Sequence, residues 1–234
     1  MSKLAIVTGG SKGIGKEVVN QLLHQGWQVM NLSRTFCELP GVINCEADLS
    51  RDDLKEILSL SLAPYLKDRK KVCIVHNACA YFSGTTLNVS SQELKQAWQV
   101  NITAPIFINQ IIIPFMLPGS SILYVGSTLS EMAVPNCLPY VITKHASVGL
   151  MRSTCQDLSK KGIHTCCICP GFTNTETLQQ HLREGGRHID QAIENVAMKR
   201  IIDPKEIANF ITYCVETPIV NGAVLHTNLG YINQ

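Results

Sequence analysis

Residues 120–144 read SSILYVGSTLSEMAVPNCLPYVITK, and this stretch decides the fold of the chain. The apolar run 122–125 has the length and the branched side chains of a buried strand, and polar residues begin just after it, at Ser127. Tyr140 follows thirteen residues later and Lys144 four residues after that, in a segment with helical periodicity. Because four residues make about one helical turn, we expect Tyr140 and Lys144 to share one helix face. The stretch therefore predicts a strand followed by a helix, as in an α/β fold.

A hydroxyl, a phenol and an ammonium group would meet in this arrangement, and together they suggest proton transfer at a carbonyl oxygen. The pKa of a free phenol is about 10, and the charge of Lys144 would favour the ionised form of Tyr140. The hydroxyl of Ser127 could bond to the substrate oxygen as negative charge develops there. An ordinary explanation also stands, since Tyr and Lys four apart occur on solvated helices and a Ser after a strand often belongs to a turn.

The composition predicts one globular domain over residues 1–234. The chain has 234 residues, 45% of them hydrophobic, and contains no repeat, linker or low-complexity tract. Its formal net charge of +2 is too small to indicate a nucleic acid or an anionic membrane as a partner. The first residues lack the pattern of a signal peptide, and no window is apolar for long enough to span a membrane. We therefore expect a soluble, cytoplasmic protein.

The ten cysteines are expected to be free thiols. A chain of this size without a secretion pattern is typical of a reducing compartment, and Cys166, Cys167 and Cys169 lie in an apolar run that resembles a strand. The sequence contains no two C-x-x-C motifs that could share a zinc ion. A metal site is therefore not predicted.

The first residues have the pattern strand, glycine turn, helix. An apolar strand at 3–7 precedes the segment TGGSKGIG, residues 8–15, and a helix is predicted to run to about residue 25. Backbone N–H groups at the start of such a helix can bind a phosphate, and glycine lets the phosphate approach closely. The spacing here is G-x-x-x-G-x-G. A turn that only joins a strand to a helix would show the same residues.

The second predicted strand, 27–32, ends at Ser33 and Arg34. Folds that bind nicotinamide dinucleotides often carry a carboxylate here for the ribose hydroxyls, whereas an Arg suits a ribose 2′-phosphate. No carboxylate stands at this tip, and Lys12 would add a second cation. The pair favours NADP(H) over NAD(H) as the cofactor. The alternative is that Lys12 and Arg34 are two ordinary surface cations.

The whole pattern predicts an α/β fold: a doubly wound, mostly parallel, Rossmann-like sheet of seven strands with helices on both faces. Further strands are expected at 42–45, 71–75, 122–125, 163–169 and 223–226, and further helices at 51–66, 91–116, about 140–161 and 204–216. Ligands of such a sheet bind beyond the carboxyl ends of its strands, where the polar clusters of this sequence fall. Residues 176–200, polar and containing glycine, are the candidate substrate lid.

With these motifs in place, the chain resembles the short-chain dehydrogenase/reductase family over essentially its whole length. The turn 8–15 is similar to the family's T-G-x-x-x-G-x-G, residues 127, 140 and 144 match its catalytic trio, and residues 170–175 match its P-G-x-x-x-T. The resemblance implies the catalytic residues Asn101, Ser127, Tyr140 and Lys144. It implies the cofactor-binding residues Gly9, Ser11, Lys12, Gly13, Ile14, Gly15, Arg34, Asp48, Leu49, Asn77, Ala78, Tyr140, Lys144, Pro170, Gly171, Thr173 and Thr175.

The resemblance also implies a reaction, the NADPH-dependent reduction of a ketone, an aldehyde or a 3-oxoacyl thioester. Hydride would come from C4 of the nicotinamide, and Tyr140 would donate a proton to the carbonyl oxygen. Lys144 would hold the nicotinamide ribose and lower the pKa of the phenol. Asn101 would anchor a water that resupplies protons, or would only satisfy the backbone of a bent helix. A second hypothesis is a catalytically silent regulator that senses NADP(H).

The chain also departs from the family pattern. The family usually shows N-N-A-G after the fourth strand, and here Cys79 replaces the glycine, where it would crowd the cofactor. His76 has no evident acid–base partner and is interpreted as structural. The C-terminal third resembles 3-oxoacyl-thioester reductases, so an acyl carrier protein is a possible partner, with Lys160 and Lys161 as candidate cations. Apolar helix faces predict a homodimer or homotetramer, and nothing identifies the small-molecule substrate.

Overall fold

The computed structural model describes residues 2–184, 190 and 193–231, and seven of the described strands form one sheet. The strands are β1 (Lys3–Thr8), β2 (Gln28–Ser33), β3 (Ile43–Glu46), β4 (Lys71–His76), β5 (Ser121–Val125), β6 (His164–Pro170) and β7 (Val224–Thr227). Their order across the sheet is β3-β2-β1-β4-β5-β6-β7, and every pairing is parallel. The predicted sheet is thus confirmed, and among the described strands it is wholly rather than mostly parallel.

The central strands are mainly apolar because helices cover both faces of the sheet. In β1, Leu4 and Ile6 point into one core, whereas Ala5 and Val7 point into the other. The helices are α1 (Gly13–His24), α2 (Leu54–Leu66), α3 (Ser91–Trp98), α4 (Ala104–Ile112), α5 (Leu138–Asp157), α6 (Glu176–Glu184) and α7 (Pro204–Glu216). Helices α2, α4 and α5 pack on the first core, and α1 and α7 pack on the second.

The predicted strand bounds are confirmed to within one residue, but three predicted helices differ from the structure. The helix predicted over 91–116 is interrupted by the π turn Gln99–Thr103 and ends in the 3₁₀ turn Ile113–Phe115. The helix predicted to run to about residue 161 ends at Asp157, because Lys160 and Gly162 have φ values of 69° and 67°, outside the helical region. The helix predicted from residue 51 begins at Leu54.

The order of the strands reverses at β1, which pairs with β2 on one side and with β4 on the other. The carboxyl ends of β1 and β4 therefore border the crevice in which ligands of open α/β sheets bind. The predicted lid, residues 176–200, begins with helix α6. Its residues 185–189 and 191–192 lie outside the described part of the chain. Within that part, no helix is both long and apolar enough to span a membrane.

Candidate active site

The glycine turn after β1 requires glycine at three of its positions. Gly9 and Gly13 have φ values of 66° and 53°, which L side chains rarely adopt, and a Cβ on Gly15 would lie 2.2 Å from the carbonyl oxygen of Gly9. Helix α1 begins at Gly13, and in the described residues the Lys12 side chain does not cap it. Its first N–H groups therefore have no side-chain cap in the part of the chain that the structure describes, and they lie beside glycines that allow a close approach, which fits a pyrophosphate. Ile14 packs toward the second core.

Thr8, which the sequence analysis did not single out as a site residue, joins the ends of β1 and β4. Its Oγ1 accepts hydrogen bonds from the N–H groups of Asn77 and Ala78 at 2.9 and 3.0 Å. The side-chain amide of Asn77 donates to the carbonyl oxygens of Thr8 and Gly9 at 3.0 and 3.1 Å. Asn77 thus holds the glycine turn in place. Only the packing reveals this role, because residues 8 and 77 are far apart in the sequence.

The two cations expected to determine the cofactor preference are Lys12, in the glycine turn, and Arg34, just after β2. Both are exposed, and neither side chain makes a hydrogen bond or ion pair within the described residues. The two segments are joined by the Ser11 hydroxyl, which donates to Thr35 Oγ1 at 3.4 Å. Asn31 fixes the turn from below, since its Oδ1 accepts from the Gly10 N–H at 2.9 Å. The structure thus brings Ser11, Lys12 and Arg34 to one side of the crevice.

Asp48 and Leu49, both predicted to lie on the adenine side of the cofactor, have surroundings that differ from each other. Asp48 Oδ1 accepts from the N–H and the hydroxyl of Ser50 at 3.0 and 2.7 Å, and these bonds, aided by the charge of Arg34, lower the pKa of the carboxyl. Asp48 is therefore a carboxylate at neutral pH. The Leu49 side chain is buried in the first core, so it faces away from solvent.

Ser127, Tyr140 and Lys144 lie together at the carboxyl edge. Ser127 begins the 3₁₀ turn Thr128–Ser130, and its Oγ accepts from the Leu129 N–H at 3.1 Å. On α5, Lys144 is only 5% exposed, and its Nζ lies 5.5 Å from the ring centroid of Tyr140. The same Nζ donates to the carbonyl oxygen of Val125 at 2.8 Å. The ammonium group is thus held between the end of β5 and the phenol, as the helix spacing predicted.

Lys144 lowers the pKa of Tyr140 as expected, but the net pKa of the phenol is raised. Burial raises the pKa of the phenol, while the charge of Lys144 and a hydrogen bond with Ser127 lower it by less. Burial alone would lower the pKa of Lys144, but the negative charges that Cys79 and Tyr140 can carry raise it. Tyr140 is therefore a protonated phenol at neutral pH, and Lys144 is an ammonium ion. The direction of the Lys144 effect was predicted, but the cost of burial was not.

Asn101 lies in the π turn and connects three elements. Its side-chain amide donates to the Ala80 carbonyl oxygen at 2.9 Å and to Thr143 Oγ1 at 3.0 Å, and its Oδ1 accepts from the Ala80 N–H at 2.7 Å. The side chain therefore does not satisfy the backbone of its own helix, so that alternative is wrong. It ties the loop after β4 to α5 one residue before Lys144.

Residues 170–175 meet the glycine turn. A Cβ on Gly171 would lie 2.9 Å from Asn228 Cα, so glycine is needed for the chain to pass this neighbour. Thr173 is buried, and its Oγ1 donates back to the Gly171 carbonyl oxygen at 3.0 Å. The Thr175 side chain lies against Gly13, 3.0 Å from where a Cβ would be, and its Oγ1 accepts from the Leu178 N–H. The first turns of α1 and α6 therefore approach each other.

Two departures from the family pattern also have a definite place. Cys79 is exposed, and its charge, when the thiol ionises, acts on both Tyr140 and Lys144. His76 is buried, one ring nitrogen lies 2.9 Å from Asn109 Oδ1, and burial lowers the pKa of the imidazole to about 4. A neutral, packed imidazole agrees with the interpretation of His76 as structural.

The cations expected to meet a carrier protein are in the wrong place. Lys160 and Lys161 precede β6, so they lie at the amino edge of the sheet, opposite the crevice. With a rise of about 1.5 Å per residue, the distance along α5 from Tyr140 to its last residue, Asp157, is about 26 Å. Lys160 and Lys161 lie beyond that end and are therefore remote from Tyr140.

The fold and this site were compared with known proteins. A family model described as short chain dehydrogenase matches residues 3–185. The chain is 25% identical over 242 residues to the 3-oxoacyl-[acyl-carrier-protein] reductase FabG of Buchnera aphidicola, an alignment that covers 97% of this chain and 96% of that protein. The chain therefore belongs to the short-chain dehydrogenase/reductase family, a family of oxidoreductases.

Solved structures share the fold. A short-chain dehydrogenase family protein from Francisella tularensis superposes with a TM-score of 0.89 at 23% identity, covering 99% of each chain. The L-sorbose reductase from Gluconobacter frateurii, solved as a complex with NADPH and L-sorbose, superposes with a TM-score of 0.87 at 19% identity, covering 100% of this chain and 97% of that one.

Proposed function

We propose that this protein is an NADP(H)-dependent reductase that converts a carbonyl group to an alcohol. The observation that carries the proposal is the arrangement of Ser127, Tyr140 and Lys144 at the carboxyl edge, with the Lys144 ammonium 5.5 Å from the phenol ring. The glycine turn beside it has three positions that only glycine fits and presents uncapped N–H groups, which suits a dinucleotide. Membership of an oxidoreductase family supports the same function.

Each side chain has a role that its surroundings favour. NADPH, when bound, supplies hydride from C4 of its nicotinamide. Tyr140 is protonated at neutral pH and donates its proton to the carbonyl oxygen. Ser127 donates a hydrogen bond to that oxygen as negative charge develops. Lys144 holds the nicotinamide ribose and opposes the effect of burial on the phenol. Asn101 holds Ala80 and Thr143, and we propose that a water near the π turn resupplies protons to Lys144.

The cofactor preference rests on Lys12 and Arg34, which offer two exposed positive charges beside the tip of β2. A ribose 2′-phosphate is an anion that Arg binds with two parallel hydrogen bonds. We propose NADP(H) on this ground, and the relative solved with NADPH supports it. We propose that the remaining cofactor contacts are made by the residues that the family resemblance implies. Among them, Asn77 acts by holding the glycine turn, and Leu49, whose side chain is buried, acts through its backbone.

Turnover of NADPH tests the proposal. The purified protein is given 3-oxoacyl thioesters, ketones and aldehydes, and the loss of NADPH absorbance is followed. We expect turnover with at least one class, and we expect Tyr140→Phe to lower kcat about 10²- to 10⁴-fold, the range for loss of a general acid. Tyr213→Phe, on the exposed side of α7, is the matched control. Undiminished turnover by Tyr140→Phe would overturn the proposal.

The same assay distinguishes the alternative function. Tight NADPH binding without turnover of any class would favour a silent NADP(H)-sensing regulator. We expect Arg34→Ser to weaken NADPH binding about 10-fold or more, as loss of a charged hydrogen bond predicts, while NADH binding changes little. Lys67→Ser, an exposed cation at the amino edge, is the control. A clear preference of the wild-type protein for NADH would refute the assignment of NADP(H).

The proposal also covers the domain organisation, the substrate lid, the compartment and a carrier protein. We propose that residues 1–234 act as one domain, that residues 176–200 cover the substrate, and that the protein is cytoplasmic. The FabG relative is a 3-oxoacyl-[acyl-carrier-protein] reductase, so a thioester on an acyl carrier protein is one candidate substrate. A carrier would have to be met at the carboxyl edge, because Lys160 and Lys161 lie at the other edge.

A further inference from the structure

Tyr81 occupies a fixed position beside the phenol of Tyr140. It follows Ala80, whose N–H and carbonyl oxygen are both bonded to the Asn101 side chain. Three residues after Tyr81, the Gly84 N–H donates to the Asn136 carbonyl oxygen at 3.1 Å, and the Gly84 carbonyl oxygen accepts from the Leu138 N–H at 3.0 Å. The backbone around Tyr81 is therefore held both to the π turn and to the start of α5.

The ring of Tyr81 packs against the ring of Tyr140. The two centroids are 5.2 Å apart and the planes are inclined by 55°, a tilted arrangement that aromatic pairs favour. The Tyr81 hydroxyl also lies 3.3 Å from Cys137 Sγ, a second contact beyond that of the ring. Tyr81 is half-buried. Because its ring centroid lies 5.2 Å from that of Tyr140, a substrate whose carbonyl oxygen reaches the Tyr140 hydroxyl comes within a few ångströms of this ring.

The segments at the carboxyl edge of the sheet are mainly apolar. Those after β4, β5, β6 and β7 carry half-buried apolar or aromatic side chains: Phe82, Leu129, Met132, Val134, Phe172 and Tyr231. At the same edge, the carboxylate of Glu131 is paired with His226 at 2.9 Å, and the Lys144 ammonium is buried against Val125. These surroundings favour an uncharged substrate with an apolar group next to its carbonyl.

We propose that Tyr81 is a specificity-determining residue that selects carbonyl substrates with a flat, aromatic substituent. The inference rests on the proposed reductase function and adds the substrate class. A planar ring can pack against Tyr81 while the carbonyl oxygen meets Tyr140, whereas a puckered saturated ring of the same size cannot pack as closely. The effect expected of such a ring pair is a preference of roughly 2- to 10-fold.

A matched pair of ketones tests this proposal. Acetophenone and cyclohexyl methyl ketone have the same carbon skeleton, but only the first has a flat ring. With NADPH, we expect the wild-type protein to prefer acetophenone about 2- to 10-fold in kcat/KM. Tyr81→Phe keeps the ring and should keep the preference, while Tyr81→Leu should abolish it. Cys137→Ala removes the partner of the hydroxyl but not the ring, and Tyr213→Leu removes an exposed aromatic ring on α7; both should retain the preference.

The ratio of the kcat/KM values for the two ketones distinguishes a role in specificity from a merely structural role of Tyr81. A merely structural Tyr81 would lower kcat/KM for both ketones by one factor, so an unchanged ratio in Tyr81→Leu overturns the proposal even if the protein is a reductase. If the wild-type protein reduces neither ketone, the proposed function fails for this class, and binding of both ketones to the NADPH complex is measured by saturation-transfer NMR. Aryl-selective binding that Tyr81→Leu loses supports the inference, and equal binding of the two ketones refutes it.

Discussion

At the scale of single residues, Tyr140 is central to the proposed reaction, in which its proton is the one that the carbonyl oxygen receives. Two effects oppose each other at this phenol: burial favours the neutral form, and the Lys144 ammonium favours the ionised form. Burial has the larger effect, so the pKa lies above its ordinary value. A protonated phenol is the form needed for reduction, whereas oxidation of an alcohol would need the phenolate.

The first prediction concerns the pH dependence of reduction. Because the pKa of Tyr140 is raised, the phenol keeps its proton through neutral and mildly alkaline pH and loses it only as the pH rises past that pKa. At saturating NADPH, kcat/KM for the carbonyl substrate should stay level from about pH 6 to about pH 9 and then fall. Circular dichroism at each pH controls for unfolding. A fall of activity centred near neutral pH would show that another group limits the reaction.

At the scale of elements, the π turn is the segment from which the Asn101 side chain contacts two other elements. The Ala104 N–H bonds to the Gln99 carbonyl oxygen, a five-residue step that interrupts the α-helical pattern between α3 and α4. The buried side chain of Asn101 then bonds to Ala80 and to Thr143. A regular helical pattern in the sequence does not predict these two contacts. Single π turns often occur at functional sites. Here the turn connects the loop after β4 with the helix that carries Tyr140.

The second prediction tests this connection. Asn101→Ala removes three hydrogen bonds and leaves the Ala80 backbone groups without their partner, which should lower the free energy of unfolding by about 1–3 kcal/mol. Gln99 lies in the same π turn, but within the described residues its side chain bonds only to the carbonyl oxygen of the exposed residue Arg51. Gln99→Ala should therefore change the free energy of unfolding by less than about 0.5 kcal/mol. Urea denaturation measures both. Equal effects of the two substitutions would refute the role assigned to Asn101.

At the scale of the whole molecule, the parallel sheet separates two edges. Every strand brings its carboxyl end to the crevice, so residues from the segments after β1, β2, β4, β5 and β6 meet there. The amino edge is held by other contacts, for example Lys3 and Lys71, which share Glu216. Between the edges, α3 and α5 leave large apolar side chains in solvent, with Trp98 and Ile142 exposed by 47% and 38%.

The third prediction concerns assembly. Exposed apolar residues on packed helices are typical of subunit contacts, so we propose that α3 and α5 meet a second copy of the chain. Sedimentation should give a mass two or four times that of one chain. Trp98→Glu should reduce it, whereas Leu87→Glu, a substitution at a 95% exposed residue outside the helices, should not. A wild-type protein that sediments only as a monomer would refute this proposal.

The strands and the site motifs could be predicted from the sequence because their signals are local. Runs of buried residues such as 122–125 and 166–169 are apolar because both faces of the sheet are covered, and the ends of their strands were located to within one residue. The glycine turn is also local, since its positive φ values are a property of a few adjacent residues. The four-residue spacing of Tyr140 and Lys144 sets their common helix face.

The tertiary structure alone decided the contacts between distant residues and the effects of burial. No local pattern predicts that Thr8 bonds to Asn77 or that Thr175 lies against Gly13. The sequence also predicted the sign of the Lys144 effect on the phenol but not the larger, opposite effect of burial. Such properties depend on which surfaces the fold brings together, because solvation and charge interactions act through space rather than along the chain.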